Sequence, residues 1–338
     1  MSLDPIFLVG GSGVVGRQTA RWLRERRPEL PLLIGGRNPV TAAEVATLVG
    51  GAHPVVVDLA TSGLGLAQGQ RVSAVVMLAP DDGLHGLKLA QGQGVPYLTI
   101  VNGVVEVGPE LAFFAHHPSQ APIIFASHWL GGAATFLAID AARRFDTVTS
   151  IRLGSIIDDQ DLAGPTALED MERVHDTAPA ALAIANGRRT WLINDATDGT
   201  FRTIDGRTLD AKAFSTFDTA SLYALTGAPD IRFDLATGAS SSRLGGGRPA
   251  AEIVVEVEGE KAGQALHARS TLSFEEGLAS LTGLCVALLL SPASGQSGRP
   301  LPTTGVLLPE FLWEADAFLD QLSRSGVVLT RQDPRPAG

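Results

Sequence analysis

Residues 6–16 read IFLVGGSGVVG. A short run with no polar residue, followed at once by closely spaced glycines, is the pattern of a strand buried on both faces that leaves its sheet through a sharp turn. Gly11-Ser12-Gly13-Val14-Val15-Gly16 matches the GxGxxG fingerprint that joins a strand to a helix in dinucleotide-binding folds. Each glycine has its own physical role there. Gly11 permits the tight turn, Gly13 lets backbone approach a pyrophosphate, and Gly16 lets helix and sheet pack without an intervening side chain. Ser12, Val14 and Val15 complete the loop, and the amides at the helix start face the phosphates. The competing reading is a glycine-rich turn that holds no ligand.

A second apolar run, LLIGG at 32–36, ends in Gly36-Arg37-Asn38. In a fold that binds NAD, an acid about twenty residues past the fingerprint accepts hydrogen bonds from the ribose. Arg37 and Asn38 stand there instead. A guanidinium offers a planar fork to the 2'-phosphate of NADP, and the missing carboxylate removes the repulsion that would exclude it. Arg37 as a merely solvated loop cation is the alternative. Asp58 closes a third expected strand, where it either meets the adenine edge or caps a following helix. Ala79 and Pro80 follow a fourth strand at the switch point, where they would give backbone to the nicotinamide half, and Asp81 reads as a helix cap.

Up to residue 127 the chain alternates β-branched runs with helical stretches, the rhythm of a doubly wound parallel sheet in an α/β fold. Strands are expected at 6–10, 32–35, 54–58, 74–79, 96–100 and 123–126, with helices starting near Val14, Thr41, Leu64, Gly83 and Pro109. After a helical stretch at 131–145 the pattern turns to two-residue alternation in VTSIRLGSII, RRTWLI, AEIVVEVEGE and ALHARSTLSF, which reads as a mixed or antiparallel sheet. Helices are expected again at 275–290 and 309–322. The glycine, serine and proline-rich segments ASSSRLGGGRP and SPASGQSGRPLPTTG read as mobile or surface-wrapping loops.

At 338 residues the chain is long enough for two units with separate cores. A net charge of −10 argues against nucleic acid. The longest aliphatic stretch, near 285–290, is too short for a bilayer, and the strand-like start at Ile6 reads as a cytoplasmic product. The single cysteine, Cys285, lies in an apolar stretch and reads as a small buried hydrophobe. No short ligand spacing suggests a metal.

With the fingerprint, GGRNP, VVVDLA and VVMLAPDDG in place, the chain resembles the saccharopine dehydrogenase-like oxidoreductases. The likeness extends through FSTFDTASLYALTGAPDIRFDL, VEVEGEKAGQALHA and TTGVLLPEFLWEADAFLDQLSRSGV. The resemblance implies an NADP-binding Rossmann domain over 1–127, completed by C-terminal elements from 305–338. It also implies an inserted α+β domain over 128–304 that binds substrate and often dimerises. Members include reductases that make or break C–N bonds through an imine, so the implied activity is NADP-dependent hydride transfer to or from a small imine, carbonyl or activated alkene. The chain departs from relatives that carry an aspartate after the fifth strand, where it has Thr99 and Asn102. It departs again at 127–132, SHWLGG, where many relatives have a glycine-proline-glycine turn. A protein that binds NADP(H) without catalysis, as a sensor or a support for a partner enzyme, is the alternative.

Such a reaction needs a proton donor besides the cofactor. His128, just beyond the sixth strand, is the candidate, because histidine exchanges protons near neutral pH; a structural histidine is the other reading. Trp129 would wall the substrate pocket. Arg173, in MERVHDTAP, is the candidate clamp for a substrate carboxylate. The strand-rich second domain leads us to expect a homodimer, since its sheet would otherwise leave a face or edge uncovered.

Overall fold

In the computed structural model, which describes residues 3–101, 103–118, 120–161, 180–290 and 300–336, the run Ile6–Val9 forms strand β1. All four of its residues are buried, because β1 lies inside a seven-stranded parallel sheet with a neighbour on each edge. The sheet continues with β2 (Leu32–Gly36), β3 (Ala52–Val56), β4 (Ala74–Met77), β5 (Tyr97–Thr99) and β6 (Ile123–Phe125). Their order is β6-β5-β4-β1-β2-β3, with the strand Val306–Leu307 added beyond β6. This is the doubly wound order, whose reversal between β1 and β4 opens a crevice at the carboxyl ends of those strands. Helices α1 (Val14–Arg26), α2 (Pro39–Val49), α3 (His85–Gln93) and α4 (Gly108–His116) connect the strands.

The edge position of β3 explains its sequence. Its AHPVV is largely exposed, and Pro54 removes a donor that an interior strand would need. The helix expected from Leu64 does not form. Leu64 is buried, but it and Gly65 have φ of 49° and 83°, which no right-handed helix continues, and the segment folds as turns. Asp81 caps α3: its two carboxylate oxygens accept the Gly86 and Leu87 amides at 3.1 and 3.0 Å.

Among the described residues, the first unit draws on those within 3–127, 282–290 and 300–313, and the second on 128–161, 180–281 and 314–336. The division differs from an expected break at 304/305. Gly283 lies against α1, where a Cβ would come within 2.7 Å of the Thr19 amide, and 282–290 and 300–313 belong to the first unit. Past Trp313 the chain returns to the second unit, where the strand Val328–Arg331 adds to its sheet.

That unit contains α5 (Ala133–Ala142), β7 (Thr147–Asp158), β8 (Ala181–Ala185), β9 (Arg188–Leu192), β10 (Asp198–Arg202), β11 (Thr208–Ala213), α6 (Phe217–Thr226), β12 (Asp230–Gly238), β13 (Ala251–Lys261) and β14 (Gln264–Phe274). The sheet order is β10-β11-β12-β7-β13-β14 with Val328–Arg331 beyond β14; β12 and β7 are parallel, and β13 pairs antiparallel with both β7 and β14. Register decides the faces. Ile151, Leu153, Ile253, Val255 and Val257 share the face that forms the core, while Gly154, Glu256 and Arg269 lie on the other. The 309–322 segment forms two helices, Pro309–Leu312 and Ala315–Arg324, and Phe318 of the second stacks on Phe136 of α5 at 4.0 Å.

The outer face of this sheet is covered by the chain itself. Phe201 of β10 lies over Gly154, where a Cβ would strike its ring. Arg269, 8% exposed, holds the carbonyls of Arg202 and Thr203 at 2.8 and 2.7 Å and pairs with Glu256 at 2.7 Å. The glycine-serine-rich loop that the composition reads as mobile is also held. Buried Asp158 accepts the Ser240 amide and the Arg243 guanidinium at 2.8 and 3.0 Å, and buried Glu252 accepts the Ser241 and Ser242 amides, both at 2.9 Å. A composition count cannot see that two carboxylates lie beneath the loop.

Candidate functional site

The turn from β1 into α1 assigns its glycines differently from the fingerprint alone. The left-handed residue is Gly10, at φ 88°, and a Cβ there would lie 2.9 Å from the Leu78 carbonyl oxygen. Gly10 therefore lets the end of β1 meet the end of β4, and it was missed because the fingerprint begins one residue later. Gly11 clears the Leu8 carbonyl, with a virtual Cβ at 2.9 Å, and Gly16 clears Gly11, whose Cα would be 2.6 Å away. Gly13 is different. Its φ of −73° suits any residue, and its virtual Cβ meets only the Gly10 carbonyl, at 3.1 Å. Gly13 is exposed, and no side chain caps the helix it starts. That is a cradle a Cβ would fill, so the loop fits a pyrophosphate.

The other cofactor candidates gather in the same unit. Ser12 is half-buried and donates its amide to the Gly35 carbonyl at 3.3 Å, while Val14 and Val15 form the first turn of α1. Leu78 is linked to Val9 by a 2.8 Å backbone bond, which sets Ala79 and Pro80, both half-buried, beside the mouth of β1. Arg37 is exposed just past β2 and takes part in no hydrogen bond or ion pair among the described residues. Asn38 serves the structure itself, since its Oδ1 accepts the Val40 amide at 2.9 Å and caps α2, with Pro39 in the first turn. Asp58 is exposed, and its Oδ1 accepts the Ala60 amide at 3.0 Å. It closes a turn, since no helix follows for it to cap.

In the second unit the residues after β6 enter a short left-handed turn, Trp129–Gly132, in which Leu130, Gly131 and Gly132 have φ of 53°, 69° and 107°. The turn is fastened to α6. Nε2 of His128, a residue 4% exposed, lies 2.8 Å from the Ser221 hydroxyl, and the ring tilts against Phe217 with centroids 5.7 Å apart. Asp218, fully buried, accepts the Trp129 amide at 2.7 Å and the Thr135 hydroxyl at 2.6 Å. The Trp129 indole donates to Ser155 at 2.8 Å and sits among Phe214 and Phe233. Ser221, Asp218 and Ser155 were not found from the sequence, because they meet this turn from 26 to 93 residues away. Arg173, like Asn102, lies outside the described residues. Among the described residues no group of three His, Cys, Asp or Glu is placed to hold a metal, and no helix is long and apolar enough to cross a membrane.

A Rossmann-like parallel sheet with its fingerprint turn, together with a second unit built on a mixed sheet, defines the α/β class to which the chain belongs. Among solved structures it is similar to saccharopine dehydrogenase (L-Glu forming) from Saccharomyces cerevisiae, at 11% identity and a TM-score of 0.70, covering 98% of this chain and 100% of that one. Scyllo-inositol dehydrogenase from Lactobacillus casei aligns over 97% of this chain and 98% of its own, at 12% identity and a TM-score of 0.49. No protein-family profile and no curated protein matches the sequence. The chain shares its fold with that saccharopine dehydrogenase.

Proposed function

We propose that the protein is an NADP(H)-dependent oxidoreductase of the saccharopine dehydrogenase-like group, acting on a small imine, carbonyl or activated alkene. The observation that carries the reading is the pairing of an exposed, uncapped helix start at Gly13, where a Cβ would crowd the Gly10 carbonyl, with an unengaged arginine, Arg37, just past β2. When bound, the nicotinamide would supply or accept the hydride. The first unit binds the cofactor through 11–16, Arg37 and the backbone of Ala79 and Pro80. The second unit provides the substrate surface, with Trp129 as a wall and His128 as the proton donor. A homodimer formed through the second unit belongs to the same reading. Phe201 and its hairpin cover one sheet face, so the supporting observation is the exposed apolar pair Trp191 and Ile193. One cysteine suits a reducing compartment, and the reading places the protein in the cytoplasm.

The test is the dissociation constant of NADPH and NADH for the wild type, Arg37→Ala and Arg37→Asp at one salt concentration. Loss of charge-assisted hydrogen bonding worth about 1.5 to 3 kcal/mol in all lowers NADPH affinity roughly ten- to a few hundredfold and leaves NADH nearly unchanged. Arg37→Asp reverses the preference. A wild type that prefers NADH, or an Arg37→Ala protein that loses both cofactors equally, overturns the NADP reading.

The burial of His128 and its bond to Ser221 favour, as a second reading, a protein that binds NADP(H) without turnover. NADPH oxidation with a panel of imines, carbonyls and activated alkenes separates the two.

A further inference from the structure

Ala79 and Pro80, set beside the mouth of β1, make no hydrogen bond of their own among the described residues. Their neighbours hold them. On one side Leu78 donates its amide to the Val9 carbonyl at 2.8 Å. On the other stands Asp81, 8% exposed, whose carboxylate accepts the Gly86 and Leu87 amides at 3.1 and 3.0 Å and whose carbonyl accepts the Leu84 amide at 2.7 Å. The same carboxylate takes a further bond from the neighbouring strand, since the Tyr97 hydroxyl donates to Asp81 Oδ2 at 3.3 Å. Tyr97 opens β5 in register with Val75 of β4 and is fully buried, so its side chain reaches from β5 to the loop after β4. A phenylalanine ring would fill the same core, whereas a buried phenol needs a partner. Burial, and then the charge of Asp81, push the Tyr97 hydroxyl well above the usual tyrosine range, so it stays protonated and donates.

We propose that Tyr97 is a positioning residue for the nicotinamide half of the cofactor: through Asp81 it fixes the turn at 79–80, whose backbone meets that half. The inference rests on the reading of Ala79 and Pro80 given under the proposed function. The adenine half, taken by 11–16 and Arg37, does not depend on this bond, so the two halves respond differently to its loss.

The experiment compares NADPH with adenosine 2',5'-bisphosphate, which carries the adenine half and lacks the nicotinamide. Dissociation constants of both are read for the full chain as wild type, Tyr97→Phe, Asp81→Asn and the pair. Tyr97→Phe lowers NADPH affinity about three- to tenfold and leaves the bisphosphate within about twofold. Asp81→Asn shows the same selective loss, and in its background Tyr97→Phe adds little, because the hydroxyl acts through that carboxylate. Unchanged NADPH affinity in Tyr97→Phe, an equal loss of both ligands in either variant, or losses that add in the pair overturn the inference and leave Tyr97 a core residue. A wild type that takes NADH and not the bisphosphate overturns the NADP reading instead, and NADH against ADP-ribose then decides the role of Tyr97 by the same contrast. A wild type that binds neither dinucleotide overturns both.

Discussion

The imidazole Nε2 of His128 and the hydroxyl of Ser221 stand 2.8 Å apart across 93 residues of chain. If the ring is the proton donor, His128→Asn lowers turnover by about a hundredfold or more, while NADPH affinity stays within about twofold. Ser221→Ala removes the partner that orients the ring, and its smaller loss appears in turnover rather than in cofactor binding. Turnover and NADPH titration of both variants decide the matter. An unchanged rate in His128→Asn with a lowered thermal midpoint makes the pair a structural tie only.

Asp218 holds the same left-handed turn, one turn of α6 before Ser221. Removing the carboxylate leaves the Trp129 amide and the Thr135 hydroxyl without this acceptor, so Asp218→Ala costs about 2 to 5 kcal/mol. Asp218→Asn keeps an acceptor oxygen and costs clearly less. Urea midpoints of the two variants check the order, and equal losses would mean that charge, not the paired hydrogen bonds, carries the effect.

The glycines of the fingerprint should separate by what each one does. Gly13→Val abolishes NADPH binding, and because its φ is ordinary its cost to the fold is confined to the 3.1 Å approach of the new Cβ to the Gly10 carbonyl oxygen. Gly16→Ala pushes a methyl into the Gly11 backbone and destabilises the first unit by about 1 to 3 kcal/mol or more. Calorimetry and NADPH titration on both proteins test the contrast. A Gly13→Val protein that is folded and still binds NADPH removes the cradle.

Asp158 links the loop at 240–248 to pH. Burial would raise its carboxyl, but the Ser240, Gln160 and Arg243 hydrogen bonds outweigh burial and hold it below the ordinary carboxylate range. A carboxyl lowered in the folded state contributes stability that is fully present above its unfolded pKa, about 4, and is lost as pH falls through the folded value. The difference in thermal midpoint between wild type and Asp158→Asn is therefore constant near neutral pH and shrinks below about pH 4. A difference that grows on acidification contradicts this sign.

The residues that wrote their own structure are those whose constraint is local. IFLV with its glycines specified a buried strand, a turn and a helix, and the alternation in AEIVVEVEGE and ALHARSTLSF specified a paired β13 and β14, because both patterns follow from the chain's own period. The strands β8, β10 and β11 were not legible. They are five or six residues long and owe their form to neighbours far along the chain, such as Arg232 holding the Thr197 and Asp198 carbonyls at 2.8 and 2.9 Å. The same division runs through the candidate site. The sequence by itself determined that a glycine cradle would precede α1 and that a cation would stand past β2. Only the tertiary structure decided that Gly10 meets the end of β4 and that Ser221, Asp218 and Ser155 surround the turn after β6. Backbone period and turn chemistry act within a few residues, whereas steric exclusion and hydrogen-bond pairing depend on which distant segments the sheet brings into contact.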